Sequence, residues 1–354
     1  MSKKGKIIVI SSILILIALA LIIVGVVLGC VVFKVNRDEI APDKYKKEWS
    51  NTLAFDINDC KSVVIPSGEE PRILQLTDIH YDMNNNKKEQ TLELIKTTIK
   101  EANPHVITVT GDWSSERKGT LPLVREVFDT IDSFNIPWAP VFGNHDMEGD
   151  LSRYDYADIF SEYKNCLFSV GYTNIGGVGN YIVNLFEESI DGNYIGSLFM
   201  LDSNTSVRVN VQKYIGLSER QVEWYKWAVD GLNREFSKNG ESVKSLMYIH
   251  VPLNEYKEVT GEPIFGENGE GVWPPYKNTG MFDAILEKGS TKAVFCGHDH
   301  ANNAVYNYKG VLLGYGIESG WCKGYAEDSK KGGTLVTLGD NFDIKISHVL
   351  YEYK

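Results

Sequence analysis

The residues of this sequence that could do chemistry are gathered in five short clusters of His, Asp and Asn. Each cluster follows an apolar run typical of a β-strand, and α/β folds build their sites at strand ends. Histidine and aspartate are metal ligands or acid–base groups, so their repeated grouping predicts a metal centre. The clusters are Asp78-Ile79-His80, Gly111-Asp112, Gly143-Asn144-His145-Asp146, His250 and Gly297-His298-Asp299-His300.

Carboxylates and imidazoles in these numbers suit two divalent ions of the Zn, Mn or Fe type. Two ions about 3.5–4 Å apart need a ligand in common. Asp112 is the best candidate for this bridge because it comes from the middle of three adjacent loops. The other predicted ligands are Asp78, His80 and His300 for one ion, and Asn144, His250 and His298 for the other.

A dinuclear centre of this kind is suited to hydrolysing phosphate esters. Two ions, two aspartates and a bridging hydroxide sum to a charge of about +1, which attracts a phosphate dianion. The ions lower the pKa of the shared water, and the resulting hydroxide attacks phosphorus in line. His145 follows the ligand Asn144 and is predicted to donate a proton to the leaving oxygen. Asp146 is predicted to hydrogen-bond and orient the His145 imidazole.

The elements that must position these clusters alternate from Arg72 onward. Strands are predicted at 72–77, 105–110 and 138–142, with helices at 87–102 and 121–134 between them. This order predicts right-handed crossovers and a largely parallel sheet, whose first three loops emerge from one edge.

The second half of the sequence is more mixed. Further strands are predicted at 180–186, 195–201, 243–249 and 292–296, and a short helix at 281–287. Ser218 and Gln221 form a capping-box signature that opens a helix, which Gly240 is expected to close. The long loop 251–280 is predicted to be functional.

The five clusters together resemble the calcineurin-like metallophosphoesterase superfamily, over residues 72–354. The stretches at 138–142, 278–282 and 294–300 resemble more narrowly its purple-acid-phosphatase-like branch. The resemblance implies an α/β fold, a four-layer sandwich of two mixed β-sheets flanked by helices. It also implies a dinuclear metal site at the strand ends, with every metal-binding position of the family pattern present.

Two departures from family patterns narrow this resemblance. The purple enzymes use a tyrosine ligand three residues after the bridging aspartate, where this sequence has Ser115, and His80 is available instead. We therefore expect a Zn-, Mn- or Fe-type site without an iron–tyrosinate colour. The protein Ser/Thr phosphatases carry Asp-Arg-Gly soon after the bridging aspartate, where this sequence has Ser114-Ser115-Glu116-Arg117.

The first residues differ sharply from the rest and predict a membrane anchor. A helix over 7–33 would be about 40 Å long, enough to cross a hydrocarbon core of about 30 Å. A cleaved signal peptide and a lipid-modified Cys30 are the alternatives. Three lysines precede the span, which favours a single-pass protein with its catalytic domain outside the cytoplasm. The predicted organisation is a tail at 1–6, the anchor at 7–33, a stalk or linker at 34–71 and the catalytic domain at 72–354.

Charge and cysteine content add two expectations. The formal net charge of -11 argues against a nucleic-acid partner, because such proteins usually present a basic face. Cys60, Cys166, Cys296 and Cys322 could form two disulfides in three ways, which the sequence does not distinguish. Cys296 precedes a ligand cluster on an apolar strand and is predicted to be a buried free thiol.

The leading functional hypothesis is a membrane-anchored, metal-dependent phosphoesterase that hydrolyses phosphate monoesters. A phosphodiesterase acting on cyclic nucleotides or lipid head groups is an alternative, because the same dinuclear core serves both reactions. A catalytically silent scaffold that uses this fold to bind a partner is the third hypothesis. It is disfavoured because silent relatives typically lose metal ligands or the motif histidine of the family pattern, and none of these is missing here.

Overall fold

A computed structural model describes residues 40–83, 86–209 and 211–352 of the chain. The chain divides into two compact units between Lys44 and Tyr45, and everything described below belongs to the second. The predicted anchor at 7–33 and its alternatives, including Cys30, lie outside the described residues. Within the described ranges, no helix combines the length and the apolar character that crossing a bilayer requires.

Fourteen β-strands and five α-helices form the described part of the chain. The helices are α1 (Lys88–Ala102), α2 (Thr120–Asp132), α3 (Arg153–Ser161), α4 (Glu219–Phe236) and α5 (Met281–Lys288). The first seven strands are β1 (Lys61–Ile65), β2 (Arg72–Leu76), β3 (Val106–Thr110), β4 (Trp138–Val141), β5 (Tyr181–Glu187), β6 (Tyr194–Met200) and β7 (Ser206–Val209). The others are β8 (Val211–Tyr214), β9 (Ser245–Tyr248), β10 (Thr291–Cys296), β11 (Val305–Tyr308), β12 (Val311–Tyr315), β13 (Gly332–Leu338) and β14 (Ile344–Leu350).

These strands form two mixed sheets and one hairpin. The larger sheet has the order β1-β5-β6-β9-β10-β12-β11, in which β6, β9, β10 and β12 are parallel neighbours. The smaller sheet has the order β14-β13-β2-β3-β4, in which β2, β3 and β4 are parallel. The hairpin pairs β7 with β8. The predicted parallel arrangement of the first three strands is confirmed.

Residues along each strand alternate between its two faces. One buried cluster therefore lies between the two sheets, and a second lies on the outer face of the larger sheet. On β6, Leu198 and Met200 join a buried cluster that also contains Ile73 and Val141 of the smaller sheet. The intervening Phe199 belongs to a second cluster, which packs the outer face of the larger sheet against α4 and α5. Helix α1 contacts β2, β13 and β14 of the smaller sheet. The layers are therefore helices, sheet, sheet and helices.

Aromatic rings fill the region beside β4. Phe128 of α2 is fully buried, and its ring centroid lies 5.4 Å from that of Trp113, 5.5 Å from that of Trp138 and 5.1 Å from that of Phe160. Such edge-to-face and offset contacts add to the free energy of burying the rings. Because Trp113 directly follows Asp112, this packing also anchors one of the predicted metal-binding loops.

Two sequence predictions about elements are corrected, and one helix was missed. The linker predicted at 34–71 contains β1, which pairs in parallel with β5 at the edge of the larger sheet, and Trp49, which is 4% exposed. Helix α4 begins with the predicted Ser218–Gln221 capping box but ends at Phe236, before Gly240. Helix α3 was not predicted, although Ser152 and Asp155 form a capping box at its start.

We predict that Phe128→Ala lowers the free energy of unfolding by about 3–5 kcal/mol, because it leaves a cavity among three rings. Leu121→Ala on the same helix is the matched control. Leu121 is 38% exposed, so its change should stay within about 0.5 kcal/mol. Urea denaturation followed by fluorescence measures both. Equal effects of the two substitutions would contradict this description of the core.

Candidate metal centre

Each of the five clusters follows a strand at the same edge of its sheet. Asp78 lies two residues after β2, Asp112 two after β3, and Asn144 three after β4. His250 lies two residues after β9, and His298 two after β10. Because parallel neighbours end at one edge, β2, β3 and β4 bring their loops together, and so do β9 and β10. The centre lies where these two sets of loops meet.

The backbone of these loops adopts conformations that residues with side chains rarely use. Asp78, His80, Asp112 and His298 have φ angles of 52°, 46°, 53° and 79°. Such conformations cost of order 1–3 kcal/mol each and concentrate at functional sites. Gly143 is required for a different reason, since a Cβ atom there would lie 2.1 Å from Asp112 Oδ1. The fold therefore holds these loops in backbone conformations that their residues disfavour.

Asp78, His80, Asp112 and His300 form the first group of donor atoms. One donor atom from each lies within 4.8 Å of the others. His80 Nε2 lies 3.1 Å from His300 Nε2, which in turn lies 3.4 Å from Asp78 Oδ1. All four side chains are buried. This is the set predicted from the sequence for one ion, including the shared aspartate.

Asp112, His250 and His298 form the second group, again within 4.8 Å of one another. His250 Nε2 lies 3.1 Å from Asp112 Oδ2. Asp112 therefore belongs to both groups, as a bridging ligand must. Asn144, the remaining predicted ligand, is 2% exposed, and its backbone neighbour His145 donates its N–H to Asp112 Oδ1 at 2.8 Å.

Buried atoms without hydrogen bonds indicate that the site is built for a ligand of this type. Neither Oδ1 nor Nδ2 of the buried Asn144 has a hydrogen-bond partner among the described residues. Leaving such atoms unpaired in the interior is costly unless something else contacts them. Carboxylate and amide oxygens together with imidazole nitrogens are suitable donors to Zn, Mn or Fe. The residues present fit two divalent ions.

The proximity of these groups shifts their pKa values. Burial opposes ionisation of Asp78, but the charge of His300 holds its pKa at about 2. Burial would lower the pKa of His300, and the Asp78 carboxylate raises it to about 10. Burial lowers the pKa of His80 to about 3, with His300 adding to the effect, and burial does the same for His298. At neutral pH His80 and His298 are therefore neutral, the form that binds metals, whereas His300 must release a proton when an ion binds.

Comparison with known proteins agrees with this geometry. A sequence profile described as calcineurin-like phosphoesterase matches residues 71–302, about two thirds of the chain. The chain belongs to the calcineurin-like phosphoesterase family. This confirms the superfamily resemblance.

The relatives of this chain include proteins named as purple acid phosphatases, the branch that the sequence resembles. The chain is 27% identical over 280 residues to "Probable inactive purple acid phosphatase 28" of Arabidopsis thaliana, covering 69% of each protein. It is 29% identical over 263 residues to "Phosphatase DCR2" of Saccharomyces cerevisiae, covering 66% of this chain and 44% of that protein. A crystal structure of a dimetal phosphatase from Danio rerio shares the fold, with a TM-score of 0.52 and 11% identity, covering 77% of this chain and 94% of that one.

Residues outside the ligand set fix the orientation of two imidazoles in this calcineurin-like phosphoesterase. His250 Nδ1 lies 2.7 Å from the carbonyl oxygen of Thr110 at the end of β3. His300 Nδ1 lies 3.2 Å from Glu318 Oε1, and Glu318 is in turn paired with the buried Lys331. A carbonyl or carboxylate at one ring nitrogen leaves the other free to bind a metal. Both Nε2 atoms therefore face the centre.

The predicted role of Asp146 is corrected by its hydrogen bonds. Its carboxylate accepts backbone N–H groups from Gly143 at 2.7 Å and from Asp112 and Trp113 at 3.0 Å each. It therefore ties two ligand loops together and does not orient His145. Glu148 takes that place, with Oε1 3.2 Å from His145 Nδ1. Burial lowers the pKa of His145, but the charges of Asp112 and Glu148 raise it to about 9.

Ser115, at the position where the purple enzymes have tyrosine, supports a ligand loop. Its hydroxyl donates to Asp82 Oδ2 at 2.6 Å and lies 3.4 Å from His80 Nδ1. The side chain of Ser114 donates to the other oxygen of the same aspartate at 2.8 Å. Ser115 thus contacts the ring of His80, whose Nε2 atom belongs to the first donor group.

Sequence reasoning missed three carboxylates near the centre: Asp82, Glu148 and Glu318. Glu148 lies three residues after His145, so its spacing offered a signal. Asp82 closely follows His80 and could have been considered with it. Glu318 lies 18 residues beyond the last cluster, and nothing in its neighbourhood marks it.

We predict that Glu318→Gln lowers the affinity for metal about 10–100-fold, because it removes the charge that orients His300. Glu267→Gln is the matched control, since Glu267 forms an exposed pair with Lys330. Isothermal titration calorimetry of each metal-depleted variant with Zn²⁺ measures the two affinities. An affinity equal to that of the unchanged chain would show that Glu318 does not support the centre.

Proposed function

We propose that this protein is a metal-dependent phosphoesterase that hydrolyses phosphate monoesters at a dinuclear site. The single observation that carries the proposal is that one buried carboxylate, Asp112, belongs to two adjacent groups of metal-binding side chains. Burying two carboxylates is costly unless positive charge compensates them. A purely structural role therefore does not explain why they lie beside several imidazoles. The family membership supports the same reaction class.

In this proposal each predicted ligand keeps the role that the sequence suggested. Asp78, His80 and His300 would hold one ion, Asn144, His250 and His298 would hold the other, and Asp112 would be a ligand common to both. Bound ions would supply an acidified water as the nucleophile and positive charge to offset that of a phosphate group. The donor set favours Zn, Mn or Fe.

His145 is the proposed proton donor to the leaving oxygen. Its side chain is one-third exposed, whereas the ligands around it are buried, so it can reach a bound substrate. The backbone N–H of His145 donates to Asp112 Oδ1, and Glu148 Oε1 lies beside the Nδ1 atom of His145. These contacts leave Nε2 for the substrate. Asp146 is proposed as a positioning residue, because it binds the backbone of the loops that carry Asp112 and Asn144.

A silent binding scaffold is the alternative from another functional class. Some relatives are named probable inactive purple acid phosphatases, whereas the yeast relative is named a phosphatase. The two donor groups and the buried Asn144 favour an enzyme, since a scaffold has no need to keep them.

A phosphodiesterase would use the same centre. Comparing hydrolysis of a phosphate monoester with that of a bis-ester separates the two reactions. A bis-ester preference of tenfold or more, which corresponds to about 1.4 kcal/mol, would overturn the monoesterase proposal.

We also propose that residues 7–33 anchor the protein in a membrane, with the catalytic domain outside the cytoplasm. The support is the length and apolar character of that stretch and the lysines before it. Because β1 and Trp49 belong to the same compact unit as the centre, the linker in this proposal ends before Tyr45.

We predict that Asp112→Asn abolishes turnover of a phosphate monoester, because it removes the charge that both ions share. The substitution preserves shape, so unfolding should remain a single cooperative transition. Metal content by mass spectrometry should fall from close to two ions per chain in the unchanged protein. Asp129→Asn, on the exposed side of α2, is the control. Activity that survives Asp112→Asn would show that the ligand assignment is wrong.

His145→Gln is predicted to lower kcat about 10²–10⁴-fold on an alkyl phosphate, whose leaving oxygen needs a proton. The loss should be much smaller on 4-nitrophenyl phosphate, whose leaving group is stable as an anion. Metal content should not change. Steady-state kinetics on both substrates provide the comparison, and equal losses on the two would argue against proton donation by His145.

A further inference from the structure

Cys322 lies at the edge of the first donor group. Its sulfur atom, a ring nitrogen of His80 and a ring nitrogen of His300 all lie within 4.8 Å of one another. Within the described residues, the other cysteines, Cys60, Cys166 and Cys296, belong to no such group, and none of the four forms a disulfide. Neither the family comparison nor the sequence motifs assign Cys322 a role.

The backbone around Cys322 is fixed to the loop that carries Asp78 and His80. Ser319 donates its N–H to the carbonyl oxygen of Thr77 at 2.8 Å, and Thr77 donates its own to Ser319 Oγ at 3.0 Å. At Gly320, a Cβ atom would lie 1.9 Å from the carbonyl oxygen of Ile79. Only glycine permits this approach, so the segment 319–322 is seated directly against the ligand loop.

Glu318 connects the same segment to the second histidine of the group. One carboxylate oxygen, Oε1, lies 3.2 Å from His300 Nδ1 and accepts the backbone N–H of Cys322 at 3.4 Å. The other oxygen is paired with Lys331, and both side chains are buried. The carboxylate that orients His300 therefore also sets the position of Cys322.

A second observation indicates that a ligand belongs beside these side chains. Asp112 is only 1% exposed, and its Oδ2 atom lies 3.1 Å from His250 Nε2 of the second donor group. This oxygen lies 3.8 Å from His80 Nε2, within the first donor group. The thiol of Cys322 and the imidazoles of His80 and His300 form a donor set for a cation that accepts sulfur, and the same two imidazoles belong to the first donor group.

We propose that the thiolate of Cys322 is an additional ligand of the ion held by Asp78, His80 and His300. This inference rests on the proposed function and makes it more specific. A sulfur ligand favours Zn²⁺ or Fe over Mn²⁺ or Mg²⁺, because soft donors select thiophilic ions. The two halves of the centre therefore differ, since His250, His298 and Asn144 offer only nitrogen and oxygen.

Cobalt substitution tests this proposal directly, because a thiolate bound to Co²⁺ absorbs in the near ultraviolet. The full-length chain loaded with Co²⁺ should show this absorption, and Cys322→Ser should lose it while still binding ions. Cys60→Ser is the matched control and should keep the absorption. Metal content is measured in parallel by mass spectrometry.

The possible outcomes separate this proposal from the proposed function. Two bound Co²⁺ ions without thiolate absorption would overturn the role of Cys322 and leave the phosphoesterase intact. No bound metal would overturn both.

Alkylation of the unchanged chain provides a test that needs no substitution. Zn²⁺ should protect Cys322 from iodoacetamide, with the modified residue located by mass spectrometry, and should not change the alkylation of Cys60. Equal modification of Cys322 with and without Zn²⁺ would contradict the proposal.

Discussion

The structure depends on the burial of two negatively charged carboxylates at one point. Asp78 and Asp112 are each 1% exposed, and charged groups are rarely buried unless other charges or metal ions compensate them. Here the compensation comes from imidazoles in contact with them and, in our proposal, from two divalent ions. This requirement explains why five loops converge and why several of their residues adopt strained backbone conformations.

The centre also links the two sheets. Asp78, Asp112 and Asn144 follow strands of the smaller sheet, whereas His250, His298 and His300 follow strands of the larger one. Polar contacts cross the same boundary. Gln75 of β2 donates to the carbonyl oxygen of Cys296 at 3.0 Å, and His250 Nδ1 lies 2.7 Å from the carbonyl oxygen of Thr110. The packing between the sheets therefore sets the distances between ligands, so stability and site geometry are coupled.

Much of this arrangement could be predicted from the sequence because it follows from local pattern and chain direction. Apolar, β-branched runs such as Val106–Thr110 mark strands, and parallel strands place their following loops at one edge. Chain direction was enough to bring Asp78, Asp112 and Asn144 together, whereas the place of His250, His298 and His300 beside them rested on the family resemblance. The Ser218–Gln221 capping box likewise identified the start of α4.

The rest of the arrangement depends on contacts between residues that no local sequence pattern connects. Glu318 reaches His300 only because β12 returns beside β10 and carries the chain back toward the centre. Asp146 was assigned to its neighbour His145 by adjacency, but the turn directs its carboxylate to backbone N–H groups of other loops. The strand β1 is short, and its place in the larger sheet is set by pairing with β5, more than 110 residues later.

Anomalous X-ray diffraction from crystals grown with excess Zn²⁺ tests the central claim most directly. We predict two peaks roughly 3.5–4 Å apart. One should lie among Asp78, His80 and His300, the other among Asn144, His250 and His298, with Asp112 between them. Absence of both peaks from this position, with zinc in the crystal, would contradict the dinuclear centre on which the proposed hydrolysis depends.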